Sequence, residues 1–390
     1  MPKPRVPLRF RRARARFVPG NAVRLLRDGR EAFPAMLEAI TQARRQVLLE
    51  MYWFDSDLVG RRFAEELGRA CQRGVEVAII YDSVGSITAD RAMFAELEAQ
   101  GARVLEYNPV APWRRRFRLS FTQLSRRDHR KILVVDGNVG FTGGLNLANQ
   151  WAPLEEDGGG GWRDDMMRIA GPAVAGLSRC FHRAWRRHHL PSIMHLNAEP
   201  YVAAPGEALV PVRILGERYF RHRHAIARDY ATRLYAAKRS AYISNSYFVP
   251  DGSVRRALIS AAKRGVDVRV IVPAHSDVEP VKFAGRAQYA RLLQAGVRIY
   301  EWQEGMFHSK TAVIDSEWCT TGTFNFDYMS VRRNLEVNAS VLDGSLAQLF
   351  EASFREDLKR TREVDAQELQ FRPLGERLLE AGFYRLRKWL

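Results

Sequence analysis

The chain has 390 residues, enough for two domains of ordinary size, and its 46% hydrophobic content can fill two cores, which excludes a disordered polymer. Lys and Arg outnumber Asp and Glu by 61 to 44, a formal charge of +17, so the favoured partner is a polyanion, either nucleic acid or the anionic face of a bilayer. No run of about 18 apolar residues occurs and the N-terminus has no apolar signal stretch, so membrane contact is expected to be peripheral.

In chain order, residues 1–19 form a basic arm, running from Lys3 and Arg5 through a string of arginines to Arg16, suited to anionic headgroups. Residues 20–200 read as a first α/β domain. Gln46 to Phe54 is its opening strand, and Arg73-Gly74-Val75 ends a helix and starts the apolar strand that runs to Ile80. Gly101 to Glu106 is a third strand. Residues 113–121, basic and aromatic, are an insert expected to line the mouth of a site. Then come the strand bearing His129 and Lys131, and the glycine run at 158–161, which reads as a loop moving over a substrate or as a tolerant linker. Cys71, Cys180 and Cys319 are odd in number and lack metal-ligand spacing, so they read as reduced, buried thiols.

Periodicity is lost around residues 201–212, read as the connection between domains. A second domain over 213–370 repeats the first. Ala241 to Val249 matches the opening strand, Arg264-Gly265-Val266 matches Arg73-Gly74-Val75, and Gly296 to Glu301 matches Gly101 to Glu106. Each half alternates strands with helices of helical period, which implies α/β/α layering, with the halves packed face to face in pseudo-twofold symmetry. Residues 371–390 read as a basic amphipathic helix able to lie on a membrane.

The repeat carries chemistry. His129-Arg130-Lys131 with Asp136, and His308-Ser309-Lys310 with Asp315, both read H-x-K-x-x-x-x-D. Gly143-Gly144-Leu145-Asn146 follows the first and Gly322-Thr323-Phe324-Asn325 the second. In a strand, residues two apart share a face, so His129 projects with Lys131 and His308 with Lys310. Two imidazoles, two ammonium groups and the carboxamides of Asn146 and Asn325 then surround one phosphoryl group, where the lysines and asparagines bind phosphate oxygens and stabilise the charge that develops during displacement. This needs no metal or other cofactor, and none is expected; His222 and His224 read as surface residues. Each imidazole needs a carboxylate to fix its tautomer. Asp136 and Asp315 are grouped with the catalytic residues as members of the repeated motif, but stand off the His/Lys face, before a turn, and read as supports that hold the strand ends and hydrogen-bond backbone or lysine.

The duplicated motif resembles the phospholipase D superfamily, and the resemblance covers nearly the whole chain. The flanking words Arg127 to Lys131, Trp162-Arg163-Asp164 leading to Gly171-Pro172-Ala173-Val174, Asn325-Phe326-Asp327 and Asn334-Leu335-Glu336 are similar to bacterial cardiolipin synthases, of the subgroup without N-terminal membrane-spanning helices. The resemblance implies two fused phospholipase D-like domains sharing one active site. It implies His129 as nucleophile and His308 as proton shuttle, with Asp164 behind His129 and Glu336 behind His308. Thr323 stands where the family commonly has serine, and Gly144 at the matching first-half position.

The implied reaction is transfer of a phosphatidyl group from one phosphatidylglycerol to another through a phosphatidyl-histidine, with phosphatidylethanolamine as a second candidate donor. Headgroup hydrolysis and a nuclease are the alternatives. Nucleic acid is the less favoured polyanion, because no recognisable nucleic-acid domain or base-stacking repeat accompanies the charge. Two fused halves complete a site, so no obligatory protein partner is expected, and the membrane partner is the cytoplasmic face of the inner membrane.

Overall fold

The computed structural model describes residues 16–110, 126–188, 190–197, 201–203, 207–216 and 224–389. Most of the basic arm and the 113–121 insert lie outside them. The first half contains β1 (Val18–Arg27), α1 (Asp28–Thr41), β2 (Gln46–Met51), α2 (Leu58–Gln72), β3 (Glu76–Asp82), α3 (Arg91–Ala99), β4 (Arg103–Tyr107), β5 (Ile132–Val135), β6 (Val139–Gly143), β7 (Asp165–Ala170) and α4 (Val174–Arg187). The second half begins with β8 (Val210–Gly216), α5 (Ala225–Ala236), β9 (Ser240–Asn245), α6 (Gly252–Lys263), β10 (Asp267–Pro273), α7 (Glu279–Arg286), α8 (Tyr289–Leu293) and β11 (Arg298–Trp302). It continues through β12 (Lys310–Ile314), β13 (Trp318–Gly322), α9 (Tyr328–Arg332), β14 (Val337–Leu342), α10 (Gly344–Leu358), β15 (Thr361–Glu363), α11 (Ala366–Gln370) and α12 (Leu374–Leu386).

The strands join in the order β15-β11-β10-β9-β12-β13-β14-β8-β1-β7-β6-β5-β2-β3-β4. Outward from the antiparallel β1–β8 pair, β7, β6, β5, β2, β3, β4 on one side match β14, β13, β12, β9, β10, β11 on the other. The strand order is thus the expected pseudo-twofold. The halves meet edge to edge through this pair as well as by packing, because one core joins Leu48, Ile80 and Ile132 of the first half to Val313, Val337 and Val341 of the second. β8 starts at Val210, inside the stretch read as the connection, and β1 starts at Val18, inside the stretch read as the arm.

Every residue of β2 is buried, as a strand covered on both faces requires. Val47, Leu49 and Met51 face α1 and α2, whereas Leu48 faces the shared core with Leu177 and Phe181 of α4. α2 is started by Asp57, whose carboxylate accepts from Gly60 N, and stopped at Gly74, φ +82°. α6 is started by Asp251 and stopped at Gly265, φ +85°. The repeated Arg-Gly-Val words are therefore helix stops that feed β3 and β10.

The glycine run at 158–161 is stapled rather than open. Gly159, Gly160 and Gly161 N–H donate to Glu156, Asn149 and Ala152 carbonyls, each at 2.9 Å, and a Cβ on Gly159 would fall 1.8 Å from Pro153 O. This hydrogen-bonded turn delivers Trp162 and Arg163 to the centre of the molecule.

α12 packs one face on the domain, with Phe383 stacked on Phe283 of α7, and leaves Leu374 and Leu378 exposed. Among the described residues no helix is long and apolar enough to cross a membrane.

Asp136 and Asp315 stand at the far ends of β5 and β12 from the histidines. Asp136 accepts backbone N–H bonds from Arg44, Arg45 and Gln46, and Asp315 from Lys238, Arg239 and Ser240. Both have left-handed backbone, φ +51° and +56°, which short Asp tolerates. They clamp the entries to β2 and β9, so their grouping with the catalytic residues is corrected. Asp136→Ala should cost about 3 kcal/mol of stability. Urea unfolding checks this, and an unchanged midpoint would refute the clamp.

Candidate active site

The two histidine segments are placed by short parallel bridges between the halves, Asp128 with Leu335 and Phe307 with Arg163. His129 N–H donates to Leu335 O at 3.1 Å and His308 N–H to Arg163 O at 2.8 Å. One residue beyond each bridge, a histidine of one half stands beside a carboxylate of the other. His129 Nδ1 lies 3.1 Å from both Glu336 oxygens, and His308 Nδ1 lies 2.6 Å from Asp164 Oδ2. The orienting residues are those expected, but the pairs are crossed relative to the sequence-based assignment, since each carboxylate directly precedes its strand at the junction of the halves.

The carboxylates are steadied by different donors. Glu336 accepts from Thr323 Oγ1 and, at 2.7 Å, from Ser330 Oγ. Asp164 accepts from Trp151 Nε1 at 3.1 Å and from Asp165 N at 2.8 Å. Gly144, the counterpart of Thr323, has no room for a side chain, because a Cβ there would lie 2.1 Å from Asp164 Oδ1. The hydroxyl missing from the first half is replaced by an indole N–H.

The intervening residues Asp128 and Arg130 point away from the cavity into a buried ion network. Arg130 meets Glu50 at 2.5 Å and Asp128 at 2.8 Å. Burial drives the Glu50 carboxyl well above its ordinary range, opposed by Arg130. In the second half the corresponding anchor is Ser309, whose hydroxyl donates to Asp165 at 2.6 Å, and Asp165 is held by Arg163 at 2.9 Å.

Lys131 and Lys310 are completely buried. Lys131 Nζ donates to His129 O at 2.9 Å, while Lys310 Nζ lies 2.9 Å from His308 Nδ1 and donates to His308 O. The ammonium groups therefore sit behind the imidazoles instead of opening directly into the cavity. Burial lowers Lys131 to about 7 and Lys310 to about 8, against the pull of Glu336 and Asp164. Burial also lowers His129, opposed by Glu336, and lowers His308 well below its ordinary value, helped by Lys310. Both rings are thus neutral in the empty site. A carboxylate beside Nδ1 favours the Nδ1–H tautomer, which leaves Nε2 as the free base.

Both histidines open on one cavity of about 450 Å³, which Asn146 and Asn325 also line. Asn146 Oδ1 accepts from Trp53 N at 3.1 Å and Asn325 Oδ1 from Ser246 Oγ at 2.9 Å, leaving the amide nitrogens as donors. Aromatic rings enclose the imidazoles: Tyr52 lies 4.9 Å from the His129 ring, and Trp151 and Trp162 lie 5.3 and 5.7 Å from the His308 ring. Arg127, Asp277 and Asp327 also line it, with Asp277 accepting from Tyr247 OH at 2.8 Å and burial raising Asp327 to about 7. The sequence reading missed Tyr52 and Tyr247. A tyrosine follows the opening strand of each half, one residue past β2 but two past β9, and this slip hides the pair.

Fold and site together define an enzyme of the phospholipase D superfamily, with two imidazoles set for displacement at one phosphoryl group. The chain matches the family described as "Cardiolipin synthase, PLD-like domain" over residues 36–157 and 230–358, one histidine segment in each part. It is 34% identical over 364 residues to the cardiolipin synthase of Geobacillus thermodenitrificans (strain NG80-2), covering 92% of this chain and 70% of that one. It is 32% identical to the major cardiolipin synthase ClsA of Bacillus subtilis (strain 168), covering 94% and 74%. The fold resembles the crystal structure of phosphatidylserine synthase from Haemophilus influenzae Rd KW20, with a TM-score of 0.72 at 13% identity, over 97% of this chain and 98% of that one. The chain belongs to the PLD-like cardiolipin synthase family, and is a phosphatidyltransferase.

Gly144→Ser tests the Asp164–His308 pair. The new side chain must displace the carboxylate, so a folded protein with activity reduced at least about a hundredfold is expected in a turnover assay. Near wild-type turnover would remove Asp164 from any orienting role.

Proposed function

We propose that the enzyme joins two phosphatidylglycerol molecules into cardiolipin and releases glycerol, working as a peripheral protein on the cytoplasmic face of the inner membrane. The observation that carries the chemistry is the pair of Nδ1-anchored imidazoles on one cavity. The choice of lipid is supported by the relatives named cardiolipin synthase.

His129 Nε2 attacks the phosphorus of the first lipid, the P–O bond to glycerol breaks, and protonated His308 gives its proton to the departing oxygen. The phosphatidyl group is then held on His129 through a P–N bond, while Glu336 carries the positive imidazole. The terminal hydroxyl of a second phosphatidylglycerol loses its proton to His308 and attacks phosphorus. The P–N bond breaks and cardiolipin leaves. The carboxamides of Asn146 and Asn325 donate to the oxygens of the five-coordinate state, and Lys131 and Lys310 stabilise its charge through space from behind the imidazoles. The anionic substrate offsets Lys310, which depresses His308 in the empty site, and so favours the protonated acid that the first step needs.

Incubation with labelled phosphatidylglycerol vesicles in chelator should give cardiolipin and glycerol from wild type. His129→Ala should lose about a thousandfold or more, with no acid-labile lipid-labelled protein on rapid quench. Phosphatidic acid as the only product would make the enzyme a hydrolase, and cleavage of single-stranded DNA without lipid turnover would make it a nuclease.

The pH profile is a second check. Because kcat/KM reports the free enzyme, its acid limb should lie below the ordinary histidine value of 6.5. Its alkaline limb should begin as His308, held well below 6.5 by burial and then Lys310, loses the proton that the first step needs, and steepen as Lys131 and Lys310 lose theirs near 7 and 8. A bound phosphate favours the ammonium form, so the alkaline limb of kcat should lie higher. Coincident limbs would exclude the lysines from phosphate binding.

A further inference from the structure

Beside the catalytic cavity lies a second one of about 280 Å³, between α6, α9 and the C-terminal end of α12. The short α9 is the partition. Met329 faces the catalytic cavity, and Tyr328 and Arg332 face the other. Four cations line this second cavity, Arg255, Arg332, Arg387 and Lys388. The carboxylate there, Asp251, is committed to capping α6, accepting from Ser253 N and Val254 N at 3.0 Å and Ser253 Oγ at 2.6 Å. Arg255 Nη1 donates to Gln288 Oε1 at 2.9 Å and Tyr384 OH at 2.8 Å, but its Nε is buried with no acceptor among the described residues. Four like charges around a concavity repel one another and favour an anion, and guanidinium groups suit a phosphate.

α12 supplies the second observation. Its Phe383 and Tyr384 side packs with Val249, Val281 and Ala284, and Val281 also lines the catalytic cavity. Its opposite side leaves Leu374 68%, Leu378 64% and, just beyond the helix, Trp389 66% exposed, with Phe371 before it at 85%. In helical projection Arg377 stands beside this apolar stripe and Arg385 on it, between Leu374 and Leu378. A helix apolar on both sides, with long arginine side chains on its outer side, matches the bilayer interface rather than water. The cationic cavity opens at the end of the same helix, so a headgroup phosphate lies within the same surface as the apolar contact.

We propose that the groove between α6, α9 and α12 holds the headgroup phosphate of an anionic phospholipid while the outer face of α12 lies in the bilayer interface, a docking site separate from the catalytic one. The occupant is a lipid rather than free phosphate, because the apolar stripe adjoins the cations. This rests on the proposed lipid chemistry only in placing the enzyme at a membrane.

The experiment is flotation of the full chain with vesicles of phosphatidylcholine alone or doped with phosphatidylglycerol, beside an assay of cardiolipin formation by wild type on the doped vesicles. Wild type should float with doped vesicles and much less with phosphatidylcholine. Arg332→Glu with Lys388→Glu, two exposed positions, should weaken partition at least about tenfold. Leu378→Gln should weaken it on its own, and inorganic phosphate should displace wild type no better than chloride of equal ionic strength. Far-UV circular dichroism and thermal midpoints check folding, and the single glutamine variants at 332 and 388 replace the double variant if it is unfolded. Equal flotation of the charge variants, or unchanged flotation of Leu378→Gln, would overturn the proposal. Specific displacement by phosphate would instead make the groove a site for a free anion. Charge-dependent flotation without cardiolipin synthesis would leave the docking site standing and sink the proposed reaction; cardiolipin synthesis with equal flotation would do the reverse.

Discussion

The crossed pairing of histidine and carboxylate is the constraint on which the site depends. A backbone bridge between Asp128 and Leu335 sets His129 beside Glu336, and a bridge between Phe307 and Arg163 sets His308 beside Asp164. Neither half holds a complete histidine–carboxylate pair of its own. The active site is therefore a property of the junction, and the β1–β8 pair and shared core that hold the halves together also hold the imidazoles in tautomer and direction. Burial makes this demanding, because an unpaired charge at any of these positions would carry its full desolvation cost. Arg163 illustrates the connection. Its backbone bridges to Phe307, and its guanidinium holds Asp165 and, across the junction, Asp357 of α10 at 2.8 Å.

The halves reach the same imidazole geometry with different parts. Thr323 and Ser330 hold Glu336, whereas an indole N–H and a backbone N–H hold Asp164. The space a hydroxyl would need at Gly144 is taken by the Asp164 carboxylate itself. The asymmetry extends to charge: His308 touches its own motif lysine through Nδ1, while Lys131 reaches only the carbonyl of His129. Two chemically alike histidines thus have unlike proton affinities, and the proposed acid, His308, is the more depressed in the empty site, so its protonation depends on the charge of the arriving phosphodiester.

Much of this was legible in the sequence because local rules and the repeat agree. The Arg-Gly-Val words read as helix stops since glycine alone takes φ near +80° cheaply, and the structure places Gly74 and Gly265 in that conformation. The histidine and lysine segments, Asn146 and Asn325, and both carboxylates converge as residue types suited to phosphoryl chemistry. What stayed hidden is what depends on the twofold. A carboxylate 35 residues after His129 was paired with it along the chain, and no one-dimensional spacing tells whether a residue at the junction faces its own half or the other. The glycine run reads as flexible from composition, but three carbonyls fasten it. The motif aspartates share a word with the histidines, yet alternation and a following turn carry them to the opposite end of the strand.

The charge balance of the buried site explains why its lysines are held near neutrality. Glu336 and Asp164 as carboxylates and Lys131 and Lys310 as ammonium groups sum to zero while both imidazoles are neutral. Loss of hydration makes each ammonium costly, which lowers Lys131 to about 7 and Lys310 to about 8. A phosphodiester entering this site adds one negative charge in surroundings of low polarity, where its attraction for a proton on Lys131, Lys310 or an imidazole is far stronger than in water. Binding and protonation are therefore linked: the substrate raises the proton affinity of the groups that must be charged to stabilise and cleave it. Protonating either imidazole in the empty site would leave a positive charge unpaired in its interior. The anionic substrate supplies the partner for that charge as it binds.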